Sequence, residues 1–242
     1  MPKNQINTCV YIYLDQVDYH PVWDLQKKLS EARRLNEIPN ALLLLQHPPI
    51  ITIGKSGTDA NLLVESEYLT KHGVELTKTD RGGDITYHGP GQLVGYPILD
   101  LTKLKKDIFW YLRQIEQVII NTLQQFNIEA TRNKNYTGVW VNAEKIAAIG
   151  VKVSRWITSH GFAFNINPNL EHFELIIPCG IQNKSVTSLV KIVDKAITVE
   201  DVLPTLVDQF AAVFQVRMMP FNHSTWPILT HYLDKFIGAG KF

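Results

Sequence analysis

Cysteine is scarce: the 242-residue chain has two, Cys9 and Cys179, far apart and in no Cys-x-x-Cys or Cys/His spacing. That excludes a disulfide scaffold and points to a reducing compartment, the cytoplasm. A surplus of charge is missing too. With 24 lysines and arginines against 23 aspartates and glutamates, the formal net charge is +1, so no overall field would hold nucleic acid or an anionic membrane. The cluster Lys103, Lys105 and Lys106 reads as a solvated connection. Long apolar runs are absent. The longest aliphatic run, Ala41 to Leu45, is far below the roughly 20 residues of a membrane helix, and the early run Cys9 to Leu14 is broken by Asp15, which fits no signal peptide. No low-complexity tract, internal repeat or domain linker interrupts the chain. Its 45% hydrophobic and 19% charged residues describe a globular, soluble protein able to bury its own core. A monomer is expected, because no apolar helix face is left unexplained.

What is present is a pattern of alternating elements. Thr8 to Leu14 suits a strand, and Tyr19 to Asn36 carries apolar positions at Val22, Leu25, Leu29 and Ala32, the stripe of an amphipathic helix. Leu42 to Leu45 and Ile50 to Ile53 read as buried strands joined through His47-Pro48-Pro49, which cannot be helical. A short helix over Glu65 to His72 ends at Gly73, and Val74 to Thr79 and Val94 to Leu101 are strands. The clearest helix runs from Asp107, its cap, to Phe126. Strands follow at Gly138 to Val141, Lys145 to Val153 and Ile157 to Phe164, and a last helix starts near Thr198 with Pro204 inside it. The expected fold class is α/β (α+β): a mixed β-sheet with helices packed on it.

The densest stretch is Arg81-Gly82-Gly83-Asp84-Ile85-Thr86-Tyr87-His88-Gly89-Pro90-Gly91-Gln92. Two glycine turns bracket a short strand, whose period places Thr86 and His88 on one face. Cys179, between Pro178 and Gly180, suits a thiol held at a sharp turn near backbone N–H groups. A free thiol is only about 3% ionised at pH 7 and needs a cation or base. Lys145 is the candidate, since it opens the apolar strand Ile146-Ala147-Ala148-Ile149-Gly150, where desolvation favours its neutral form. Each has a plainer alternative: a buried structural cysteine, and a strand-end lysine in solvent. His160 could be a base or a satisfied core histidine. Glu171, His172 and Glu174 match no zinc spacing, so no metal is expected.

At these residues the sequence resembles the lipoyl(octanoyl) transferases, whose fold group includes lipoate–protein and biotin–protein ligases. The resemblance rests on the Arg81 to Gln92 stretch, on Lys145 to Gly150, on His160-Gly161-Phe162-Ala163-Phe164-Asn165 and on Pro178-Cys179-Gly180-Ile181. It implies transfer of an octanoyl group from acyl carrier protein to a lysine of lipoyl domains, in 2-oxoacid dehydrogenase complexes or the glycine-cleavage H protein, without cofactor, ATP or metal. Cys179 would carry the acyl thioester and Lys145 would shuttle the proton. Arg81, Gly82, Gly83, Asp84, Ile85, Thr86, Tyr87 and His88 would line the acyl site, with Ala148, Ile149 and Gly150 and with Gly161, Phe162 and Ala163. Backbone N–H groups near Gly180 would hold the oxyanion. At about 0.8 kcal/mol per buried methylene, the eight-carbon chain would contribute on the order of 6 kcal/mol. Residues 1–216 are expected to form one catalytic domain, with 217–242 as an extension without assigned role.

Other readings stay open. An ATP-dependent lipoate or biotin ligase would use an acyl-adenylate and would not need Cys179. A lipoyl-domain-binding module that has lost catalysis would not need Lys145 and Cys179 together. A papain-like hydrolase lacks its usual cysteine signature.

Overall fold

Alternation along the strands decides the architecture. In the first strand Cys9 faces one apolar cluster while Val10, Ile12 and Leu14 face another, and in the second Leu42 and Leu44 oppose Ala41, Leu43 and Leu45. A strand buried on both faces needs a layer on each side, and helices supply them. The computed structural model describes residues 7–177 and 185–234.

In chain order the elements are β1 (Thr8–Gln16), α1 (Tyr19–Arg34), β2 (Asn40–Gln46), β3 (Ile50–Ile53), α2 (Ser66–Lys71), β4 (Glu75–Lys78), β5 (Ile85–His88), β6 (Gln92–Ile98), α3 (Ile108–Gln125), β7 (Thr131–Arg132), β8 (Val139–Val141), β9 (Glu144–Ser154), β10 (Ile157–Asn165), α4 (Leu189–Val193), α5 (Val199–Phe214), β11 (Arg217–Pro220) and α6 (Pro227–Leu233). Short 3₁₀ turns cover Asp59–Asn61 and Leu170–Leu175. The strands form two sheets, where the sequence suggested one. Eight strands run β11-β1-β2-β6-β10-β9-β8-β7, and a separate small sheet runs β4-β3-β5. The main sheet is mixed: β1 is parallel to β2 and β11, and the pairings from β2 through β6, β10, β9 and β8 to β7 are antiparallel.

Helices α3 and α5 cover one face of the main sheet, with Tyr111, Val118, Leu123, Phe210 and Phe214 in its core, and α1 and α6 cover the other through Val22, Leu25, Leu29 and Leu229. The α3 start follows its cap, where the Asp107 carboxylate accepts from the Trp110 N–H at 2.9 Å. Helix α5 tolerates Pro204 beyond a full capping box of Thr198 and Asp201. Residues 217–234 add β11 to the outer edge beside β1 and lay α6 near α1. No helix among the described residues is long and apolar enough to cross a membrane.

The Arg81 to Asp84 loop bridges the two sheets. Gly82 N–H donates to the Val151 carbonyl at 2.9 Å, and a Cβ on Gly150 would stand 2.7 Å from the Gly82 oxygen. The close approach of backbone to backbone there requires the missing side chain.

Candidate active site

Between the small sheet, the Arg81 loop and strands β6, β9 and β10 lies a cavity with about 520 Å³ of empty space, counting its open part. The loop and β5 contribute Arg81, Gly83, Asp84, Ile85, Thr86 and His88 to its wall; β9 contributes Lys145, Ala148, Ile149 and Gly150; β10 contributes Gly161, Phe162 and Ala163. Three separate stretches of sequence thus meet around one space. Gly82 and Tyr87, singled out with them, do not line it. Tyr87 packs instead with Phe173 and Ile176 in the small sheet's core, and its hydroxyl meets Nδ1 of His172 at 2.7 Å.

Lys145 is buried at 6% exposure, its Nζ 5.0 Å from the centre of the Trp140 ring. Its backbone N–H donates to the Ser185 carbonyl and its carbonyl accepts from the Thr187 N–H, both at 3.0 Å. It also lines a second, smaller space with Gln92, Asn165 and Val186. Cys179 and Gly180 lie outside the described residues. The described residues that flank them are tied down: Ile177 N–H bonds the Asn61 carbonyl at 2.8 Å, and Val186 bridges to Lys145 itself.

Arg81 is buried and held by Thr52, with Nη2 donating to the Thr52 carbonyl at 2.7 Å and to its hydroxyl at 2.9 Å. Burial keeps the cavity's imidazoles neutral. His88 is pulled down to about 3 by burial, with nearby His47 adding to the effect and its bond to Gln92 opposing it. Its Nδ1–H donates to Gln92 Oε1 at 2.7 Å, which fixes the tautomer and leaves Nε2 as the acceptor. His47, pulled to about 4 by burial, donates from Nδ1 to the Val17 carbonyl and accepts from the Tyr96 hydroxyl at 2.8 Å.

His160 stands in a strand with φ of 54°, a conformation that costs a non-glycine residue of order 1 kcal/mol or more. The backbone twist brings its ring against Trp23 and Tyr96. Its N–H donates to Gln26 Oε1 and its Nε2–H to Asp80 Oδ1, both at 2.7 Å. Burial lowers His160 to about 4 in spite of Asp80. Asp80 also accepts from Lys152 and Trp23; partial burial pushes its carboxyl up, but the bonds and charges of Lys152 and His160 outweigh that and hold it at about 2. Among the described residues no group of His, Cys, Asp or Glu is arranged to hold a metal ion.

Sequence reasoning missed Tyr19, Tyr96 and Thr137, which also line the cavity. Tyr19 precedes Val22 by three residues on the α1 stripe, and that spacing already aimed it inward. Tyr96 shares a strand face with Val94 and Ile98, so periodicity placed it inside without marking it polar. Thr137 had no signal.

Against known proteins, the chain is 50% identical over 215 residues to an octanoyltransferase of Caldicellulosiruptor saccharolyticus, covering 88% of this chain and 90% of that one. It is 45% identical to an octanoyltransferase of Solibacter usitatus, over 89% of this chain and 97% of that one. A solved bi-partite lipoate protein ligase from Thermoplasma acidophilum, studied with its E2 lipoyl domain, shares the fold at a TM-score of 0.68 and 15% identity, over 95% of this chain and 92% of that one. Residues 18–211 match the model of the lipoyl protein ligase A/B catalytic domain, and the chain belongs to that family.

Proposed function

We propose that this chain is an acyltransferase that moves an octanoyl group from octanoyl-acyl carrier protein to a lysine of lipoyl domains, through a thioester on Cys179. It acts as a monomer in the cytoplasm, with residues 1–216 as its catalytic domain. The observation that carries this reading is the position of Lys145. A buried lysine side chain stands at the wall of a cavity whose lining includes Ala148, Ile149, Gly150, Gly161, Phe162 and Ala163, and its backbone pairs with the residues that follow the Cys179 stretch.

Such a placement suits proton exchange with a thiol. Lys145 in its neutral form takes the Cys179 proton, and the thiolate attacks the carrier thioester carbonyl. A new C–S bond forms, the carrier's C–S bond breaks, and the carrier leaves as a thiol with the proton that Lys145 returns. The octanoyl chain lies along Ala148, Ile149, Phe162 and Ala163, where burying methylenes supplies the binding free energy. The neutral amine of the acceptor lysine then attacks the enzyme thioester. A C–N bond forms, the Cys179 C–S bond breaks, and the amine's proton returns by way of Lys145 to the thiol. The steps balance without ATP or metal.

Intact-mass spectrometry after mixing with octanoyl-acyl carrier protein, without ATP, tests the proposal. The native chain gains one octanoyl mass, labile to neutral hydroxylamine, and Cys179→Ser gains none. Absence of the adduct, with acceptor labelling only when ATP and free octanoate are supplied, would make the chain a ligase.

A further inference from the structure

Gln92 and Asn165 end two of the sequence motifs, and both side chains are buried with all their polar atoms engaged. Gln92 Oε1 accepts from His88 Nδ1–H at 2.7 Å, and its Nε2 donates to the Tyr87 carbonyl at 3.2 Å and to Asn165 Oδ1 at 2.9 Å. Asn165 Nδ2 donates in turn to the Thr187 carbonyl at 3.0 Å. Thr187 N–H then meets the Lys145 carbonyl, and Lys145 N–H the Ser185 carbonyl. One string of hydrogen bonds therefore runs from an imidazole on the cavity wall to the backbone of Lys145. It crosses four stretches of chain far apart in sequence.

We propose that Asn165 is a positioning residue for the transfer reaction: held by Gln92 on one side and Thr187 on the other, it sets where Lys145 stands relative to the cavity. An asparagine suits this task because it must accept on one side and donate on the other at once. Neither amide can rotate without leaving buried partners unpaired, which makes the string rigid. Gln92, Asn165 and Lys145 also share the wall of the smaller space, so displacement of the amides changes the lysine's own surroundings. The proposal rests on the octanoyl-transfer mechanism above for its kinetic consequence, though not for the geometry.

The test uses Asn165→Asp, which can still accept but cannot donate to the Thr187 carbonyl, in native and Lys145→Ala backgrounds. Misplacement of a reacting group by a fraction of its contact distance is expected to lower kcat by about 10–100-fold, with KM for the carrier within about twofold. The pH profile of Cys179 alkylation by iodoacetamide should move towards that of Lys145→Ala. In the Lys145→Ala background Asn165→Asp should change alkylation by less than about twofold, because the residue it acts through is gone. An unchanged alkylation profile, or an effect of full size in both backgrounds, overturns the proposal. Thermal unfolding of each variant is followed in parallel. Should Asn165→Asp fail to fold, Gln92→Glu, which can accept from His88 but not donate to Asn165, is expected to give the same shift, and an unmoved profile there overturns the proposal equally. A native chain that takes no octanoyl group while Asn165→Asp still shifts the alkylation profile overturns the transfer mechanism and leaves the positioning role standing.

Discussion

The main sheet is closed differently on its two sides. Under α3 and α5 the contacts are Val118, Ile119, Leu123, Leu206, Phe210 and Phe214 against Leu42, Leu44 and Phe164. Around the cavity, where α1 reaches only with its first turn through Tyr19, the buried groups are Arg81, His88, Tyr96, Lys145 and His160. The first side is cheap to fold and chemically inert. The second must satisfy each polar atom by a named partner, and His160 Nδ1 is left without one among the described residues. Stability should therefore reside mainly on the helix side and activity on the cavity side.

Phe210→Ala gives the largest effect that would separate them. Phe210 is fully buried and stacks on Phe214 with ring centres 4.5 Å apart, so its truncation should cost about 3–5 kcal/mol of unfolding free energy. Octanoyl transfer per folded molecule should stay within about twofold. Denaturant unfolding beside single-turnover transfer checks this, and a large loss of rate in the folded protein would mean that the two sides are coupled.

Gly150→Val is the converse. The new Cβ would lie 2.7 Å from the Gly82 oxygen and 3.2 Å from Arg81 Cδ, so the loop must lift from β9. Overpacking of this kind costs about 1–3 kcal/mol, but displacement of the cavity wall should reduce transfer by about 100-fold. A variant as active as the native chain would show that the loop is not part of the acyl site.

The histidines sharpen the contrast through pH. Burial holds His160 near 4 and His88 near 3 in the folded chain, against about 6.5 when unfolded. The unfolded chain therefore takes up protons that the folded one refuses. Stability from this source is complete above about pH 6.5 and drains as pH falls towards 4 for His160 and 3 for His88. Each histidine adds a slope of up to about 1.4 kcal/mol per pH unit in that window. His160→Asn, which tolerates the left-handed backbone, should flatten the curve of unfolding free energy between pH 6.5 and 4 by up to that amount, measured by urea unfolding at several pH values. An unchanged slope would mean that His160 is already protonated.

The helices and long strands of both faces were the more legible in sequence. Periodicity marked α1, α3 and α5 and the long strands, because apolar burial repeats at a fixed spacing. The split into two sheets was not readable, since β3 and β5 look like any buried strands until their partners are known. Strands β7 and β11 and helices α4 and α6 are too short to show a period. On the cavity side contiguous motifs named most of the wall but could not separate neighbours by direction. Asp80, one residue before the motif, carried no signal, although its carboxylate orients His160.

Tyr87 is where direction matters and the expected effect is smallest. Thr86 and Tyr87 are adjacent in β5, and strand geometry sends successive side chains to opposite faces. Thr86 lines the cavity, whereas Tyr87 joins Phe173 in the small sheet's core. Tyr87→Phe keeps the ring and removes the hydroxyl that meets His172, so it should cost about 1 kcal/mol of stability and leave transfer within about twofold. Thr86→Val, equal in shape, exchanges a hydroxyl for a methyl on the wall shared by both spaces, and it should change the KM for octanoyl carrier where Tyr87→Phe does not. If Tyr87→Phe instead altered KM as strongly, the face that β5 turns to the ligand would be the other one, and the acyl group would lie beneath the small sheet.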